Sequence, residues 1–181
     1  MNDIINPNSL FLNMNNPSAP VDDWNPPYCG EIDICIHKNG RWSYNGSDFS
    51  RPALVKMFAR VLKREKNDYY LVTPVEKVKI KVEAEPFVTV LVERDFKKLE
   101  SFAFNTNIGE IVIAGNDHPI VVTEDNDGQP YPTILIRKNL HALIGRSDFY
   151  QLIDWSTTEK HHDKNRCFII SNHNKFILGE Y

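Results

Sequence analysis

From Glu31 the chain alternates, with Ile32, Ile34 and Ile36 on one side and Asp33, Cys35 and His37 on the other, the period of a half-buried strand. Asn39-Gly40 then predicts a hairpin turn into a short strand carrying Trp42 and Tyr44. The spacing changes after Ser50. Pro52 suits the first turn of a helix, Ser50 its cap, and Leu54, Met57, Phe58, Val61 and Leu62 its apolar stripe, with Lys63 and Arg64 placed to suit its negative end. Strand patterns resume at Tyr69 to Val72, at Lys77 to Glu83 with Val78, Ile80 and Val82 inward, and at Phe87 to Val92. Further strands are expected around Phe102 to Phe104, Ile111 to Ile113, Ile120 to Thr123 and Thr133 to Ile136. Leu140 to Ile144 and Phe149 to Trp155 read as helical, the second capped by Ser147 or Asp148. Cys167 to Ile170 and Phe176 to Leu178 read as a closing hairpin across Asn172 to Asn174. Strands grouped around few helices predict an α+β fold with antiparallel sheets.

A short pattern occurs twice. Gly40 to Gly46 and Gly109 to Gly115 both place apolar residues third and fifth between two glycines, and RPALVKMFAR (51–60) is matched by RKNLHALIGR (137–146). Such self-similarity predicts two structurally related, duplicated half-domains, with Trp42 equivalent to Ile111 and Leu54 to Leu140. The expected division is an Asn- and Pro-rich extension over 1–23 with an apolar island at Leu10-Phe11-Leu12, an N-terminal half over 24–95, and a C-terminal half over 96–181 beginning near Leu99. A seam between two copies is a usual place for a ligand cleft.

The run from Ile32 to Phe87 contains Asn39-Gly40-x-Trp42-x-Tyr44-x-Gly46, Arg51-x-x-Leu54-Val55, Leu71-Val72-Thr73-Pro74-Val75-Glu76-Lys77 and Pro86-Phe87. Together with Asn105-Thr106, Gly109, Pro130-Tyr131, Ile136-Arg137, Leu140, Arg146 and Phe149-Tyr150, it resembles the bacterial family known as domain of unknown function 1285, over roughly residues 24 to 157. The resemblance implies a duplicated α+β core whose C-terminal half is broadly pleckstrin-homology-like. It further implies a binding site at the interface of the halves, a nucleotide-based ligand and a role in signalling. It carries no catalytic residue.

A net charge of −3 gives no global pull toward nucleic acid or an anionic membrane, so anion binding must come from local basic groups. Three cysteines without metal-type spacing suit reduced thiols, and with no secretory leader or span of 18 apolar residues the expected location is the cytoplasm. The candidate ligand residues are Arg51, Arg137, Arg146, Lys77, Thr73, Asn105, Thr106 and Trp42. If Arg51 and Arg137 each begin a helix, a cation faces the positive end of the helix dipole. Either a carboxylate such as Asp33, Asp48 or Glu76 offsets this, or guanidinium and helix N–H groups together hold an anion. Lys77 reads as an exposed strand lysine or an anion contact, Trp42 as core or stacking platform, and Asn105-Thr106 as a self-bonded turn or ligand contact.

Catalytic readings are weaker. Asp33, Cys35 and His37 imitate a triad, but same-face neighbours on one strand stand roughly 6.5–7 Å apart. His161-His162-Asp163, with His173 nearby, lacks recognised metal spacing, and Walker and dinucleotide glycine patterns are absent. The expected function is therefore a non-enzymatic, ligand-responsive regulatory protein binding an anionic, nucleotide-type molecule, with no metal and no cofactor. The alternatives are a metal-dependent phosphoester or nucleotide hydrolase and a protein-interaction module.

Overall fold

The computed structural model describes residues 19–95 and 100–181. The apolar island at Leu10 to Leu12 and the expected start at Leu99 lie outside the described residues. Two units are present: one holds the described residues to His37 together with Arg41–Glu83, the other Lys38–Gly40 and Ala84–Tyr181.

The first unit contains β1 (Tyr28–Ile36), β2 (Trp42–Tyr44), β3 (Ser47–Asp48), α1 (Pro52–Arg60), β4 (Leu62–Glu65), β5 (Asp68–Val72) and β6 (Lys77–Val82). Its sheet runs β3-β2-β1-β6-β5-β4. The β1–β2 hairpin turns at Gly40, whose φ of +82° is a left-handed conformation that glycine adopts without strain. β1 and β6 are parallel and the other neighbours antiparallel.

The second unit contains β7 (Phe87–Asp95), β8 (Ser101–Thr106), β9 (Ile111–Ile113), β10 (Ile120–Glu124), β11 (Pro130–Arg137), β12 (Leu140–Leu143), α2 (Arg146–Asp154), β13 (Thr157–His161), β14 (Lys164–Ser171) and β15 (Asn174–Glu180). Its larger sheet runs β9-β8-β7-β12-β11-β10. Strand for strand this is the order of the first unit, again with the first and sixth strands parallel and the rest antiparallel. The duplication is therefore a property of topology: two three-stranded meanders joined through one parallel pair. The unit division falls at Glu83 and Ala84, one strand before the expected 95 and 96, because β7 bonds β8 and β12.

The residue-level repeat does not follow this equivalence. Trp42 lies in the second strand of its unit and is 2% exposed, whereas Ile111 lies in the third strand of its own and is 66% exposed. Leu54 is helical and Leu140 is in a strand. Arg137 to Arg146 forms the end of β11, the strand β12 and the first residue of α2, not a helix from Leu140. Leu140, Ala142 and Ile144 are buried in strict alternation, and Lys138, with φ +54°, turns the chain so that Arg137 faces Leu140. That period belongs to a strand.

Both helix starts also differ from expectation. Arg51, not Ser50, is the N-cap of α1, and Gly145, not Ser147 or Asp148, is the N-cap of α2. Met57, Phe58 and Ala59 form the buried face of α1, with Leu54 half-buried. Lys63 and Arg64 do not end that helix, because Leu62 pairs with Leu71 and draws the chain straight into β4. The tail is a three-stranded sheet, β13-β14-β15, with the expected Asn172-His173 turn at positive φ. Wholly buried Ser171 fixes this tail within its unit, its Oγ donating to the Ala114 carbonyl (2.7 Å) and accepting from the Phe102 N–H (3.0 Å).

Candidate functional site

Four of the expected ligand residues lie in the first unit. Trp42 is core, its ring stacked on Phe58 at 6.5 Å with an 11° interplanar angle. Thr73 closes its own turn, accepting the Glu76 N–H at 3.0 Å and the Val75 N–H at 3.4 Å. Lys77 lies over the Tyr70 ring at 4.9 Å and bonds Glu65 Oε2 at 2.9 Å. The hydrogen bond from Lys77, opposed in part by burial, holds the Glu65 carboxyl below its ordinary value. The pair therefore adds stability above the ordinary glutamate range and loses it as pH falls through the lowered value. Both groups are partly solvated, so Lys77→Ala should cost only about 0.2–1 kcal/mol at neutral pH. Urea denaturation at neutral and acid pH should show that difference shrink on acidification.

Arg51 differs from these three. It is exposed, and among the described residues no acidic side chain pairs with it. Asp48, a proposed neutraliser, is taken by Arg41 at 2.5 Å. Helix α1 begins with no side-chain cap and no acid in its first turn, and Pro52 contributes no N–H. Leu54 and Val55 both donate to the Arg51 carbonyl, at 3.0 and 3.4 Å.

The other four lie in the second unit. Arg137, at the end of β11 rather than at a helix start, is ion-paired with Glu110 and lies over the Phe87 ring at 5.1 Å. Buried Thr106 brackets the same glutamate's backbone, accepting its N–H at 3.0 Å and donating to its carbonyl at 3.1 Å. Thr106 and Arg137 thus meet through Glu110. Asn105 reaches Glu93 Oε2 at 3.4 Å, and Arg146 is exposed at the start of α2 without an acidic partner among the described residues.

An open groove of about 580 Å³ in the first unit is lined by Glu31, Asp33, Asp68, Lys79 and Lys81 among others. Lys79 is tied to Asp68 at 2.9 Å and Glu31 at 3.6 Å, so the groove has no surplus of positive charge to hold an anion.

A further cluster is absent from the expected set. Cys35 Sγ lies 3.9 Å from His37 Nδ1 and 3.8 Å from Glu83 Oε1, while His37 Nδ1 lies 3.2 Å from the same carboxylate oxygen. His37 Nε2 meets Ser43 Oγ at 2.8 Å. The register explains the convergence. Cys35 pairs with Ser43 on β2 and with Lys81 on β6, and the Glu83 N–H donates to the Ile36 carbonyl, so Glu83 runs beside His37. Strand spacing alone sets Cys35 and His37 apart, but their side chains lean together, and the third member of the cluster is Glu83 and not the Asp33 of the rejected triad. Burial first, and then the Glu83 carboxylate, push the Cys35 thiol up, so the unliganded group stays protonated at neutral pH. Among the described residues this is the group of His, Cys and acidic side chains close enough to share an ion, whereas His161, His162 and Asp163 are not so gathered.

The match to known proteins covers both units. The family model described as "Domain of unknown function (DUF1285), N-terminal domain" matches residues 19–85, and "Protein of unknown function (DUF1285), C-terminal domain" matches residues 86–178. A DUF1285 family protein from Silicibacter pomeroyi DSS-3, solved by crystallography, is 39% identical with a TM-score of 0.83, over 94% of this chain and 92% of that one. Another from Shewanella baltica OS155 is 26% identical with a TM-score of 0.55, over 68% of this chain and 91% of that one. No curated protein matches. Among the described residues no helix is long and apolar enough to cross a membrane. With both halves matched and the shared strand order carried through each, the chain belongs to the DUF1285 family.

Proposed function

We propose that the protein is a non-enzymatic, ligand-responsive regulatory protein whose ligand is an anionic molecule of nucleotide type. The observation that carries this reading is Arg51: an exposed guanidinium without an acidic partner among the described residues, at the uncapped start of α1. A cation at this end of a helix is unfavourable by roughly 0.3–1 kcal/mol, and a phosphate held by the guanidinium beside the Ala53 N–H would reverse the sign. Ser43, which reaches the His37 ring but is 4% exposed, is poorly placed to act as a serine nucleophile.

Calorimetric titration with inorganic phosphate and a panel of mononucleotides, dinucleotides and cyclic nucleotides tests the reading. Arg51→Ala should weaken binding by about 1.5–3 kcal/mol with an unchanged thermal melt. Unaltered affinity in that variant would remove Arg51 from the site. A second reading, an interaction module, is favoured by exposed Leu91, Ile111 and Ile113, which lie across neighbouring strands on one face. Saturable binding of the nucleotide panel lost in Arg51→Ala decides against it.

A further inference from the structure

We propose that Cys35, His37 and Glu83 form a binding site for one divalent transition-metal ion of the zinc class, with a fourth position open to water. The argument is one of edge lengths. A tetrahedral zinc ion with bonds of about 2.3 Å to sulfur and 2.0–2.2 Å to nitrogen and oxygen sets its ligand atoms about 3.6 Å apart for sulfur pairs and about 3.4 Å for nitrogen and oxygen. The three observed separations are 3.9, 3.8 and 3.2 Å. A single ion fits all three within a few tenths of an ångström. Thiolate, imidazole and carboxylate together suit zinc or cobalt and disfavour magnesium or calcium, which take all-oxygen shells.

The outer atoms fit as well. A metal-bound histidine usually donates its remaining ring N–H to a fixed acceptor, and Ser43 Oγ stands 2.8 Å from His37 Nε2 on a residue sealed into the sheet. An ion on Nδ1 would leave the ring proton on Nε2, from which it would donate to Ser43 Oγ. Half-exposed His37 and Glu83 leave one side of the cluster open to solvent, where the fourth ligand would sit. The same atoms, read as Ser43, His37 and Glu83, imitate a hydrolytic triad. Acyl transfer there would need substrate to reach a 4% exposed hydroxyl on a strand paired on both sides.

Cobalt(II) is the probe, titrated into the full-length, metal-stripped, reduced protein. The expected result is one equivalent bound, with a thiolate-to-cobalt charge-transfer band and the intense visible bands of a four-coordinate ion, all displaced by zinc. Cys35→Ser should abolish the charge-transfer band, whereas Cys29→Ser and Cys167→Ser should retain it. Glu83→Gln keeps the side chain's shape, and Ser43→Ala leaves all three ligands in place. Ser43→Ala should weaken cobalt binding by about 10–100-fold, and Glu83→Gln, which alters a ligand, by at least as much, both with an unchanged thermal melt. A charge-transfer band that survives Cys35→Ser, or no stoichiometric binding by folded wild type, overturns the site. So does covalent labelling of Ser43 by a fluorophosphonate, which would assign these atoms to hydrolysis.

Discussion

Phe58→Ala is expected to destabilise the protein by about 3–5 kcal/mol. Phe58 is 3% exposed on the buried face of α1, with its ring parallel to Trp42 at 6.5 Å and tilted against Phe49 at 5.6 Å. Removing it empties a ring-sized volume between helix and sheet. The Trp42 Nε1 has no hydrogen-bond partner among the described residues, so the indole is held by packing and has no polar anchor to steady it once its neighbour is gone. Leu54→Ala on the half-buried side of the same helix should cost distinctly less, below about 2 kcal/mol. Urea denaturation of both variants measures the difference. A Phe58→Ala loss below about 1 kcal/mol would mean that α1 packs on another face.

Thr89→Val should cost about 2–4 kcal/mol although it keeps the side chain's shape. Thr89 and Asp148 are both buried; the threonine hydroxyl donates to Asp148 Oδ2 at 2.5 Å and accepts the Gly145 N–H at 3.1 Å. One hydroxyl thus joins β7 to the first turn of α2, and valine would leave a buried carboxylate and a backbone N–H unsatisfied together. Replacing Asp148 as well removes the buried carboxylate and leaves only the Gly145 N–H wanting, so Thr89→Val with Asp148→Leu should be less destabilised than the two single changes predict when added. Strict additivity in chemical denaturation would show that the two side chains act independently.

The strands were legible where their period was unambiguous. Ile32, Ile34 and Ile36 marked β1, Val78 and Ile80 marked β6, and the Asn39-Gly40 and Asn172-His173 turns marked two hairpins. The segment 137–146 was misread because residue identities shared with 51–60 outweighed the alternation of Leu140, Ala142 and Ile144. The duplication itself survives as a strand order, which constrains pairing and parallel direction but not which residue occupies a given place. Hence Trp42 and Ile111 share a pattern without sharing a position. For the site, Arg51 could be picked from sequence because its place beside Pro52 is local. Glu83 could not. It meets His37, 46 positions away, only through the parallel β1–β6 pairing, and its own neighbours in sequence give no hint of that register. Lys77, Thr73, Thr106 and Arg137 were visible as polar groups, but their partners Glu65, Glu76 and Glu110 depend on turns and cross-strand geometry.

The most direct test of the regulatory-ligand account is native mass measurement of the protein purified from its own cells, alongside Arg51→Ala prepared in the same way. The account predicts a wild-type mass in excess of the chain by one phosphorylated small molecule, released on denaturation and missing from the variant. Wild-type protein at the bare chain mass, or an adduct carried equally by Arg51→Ala, would contradict it.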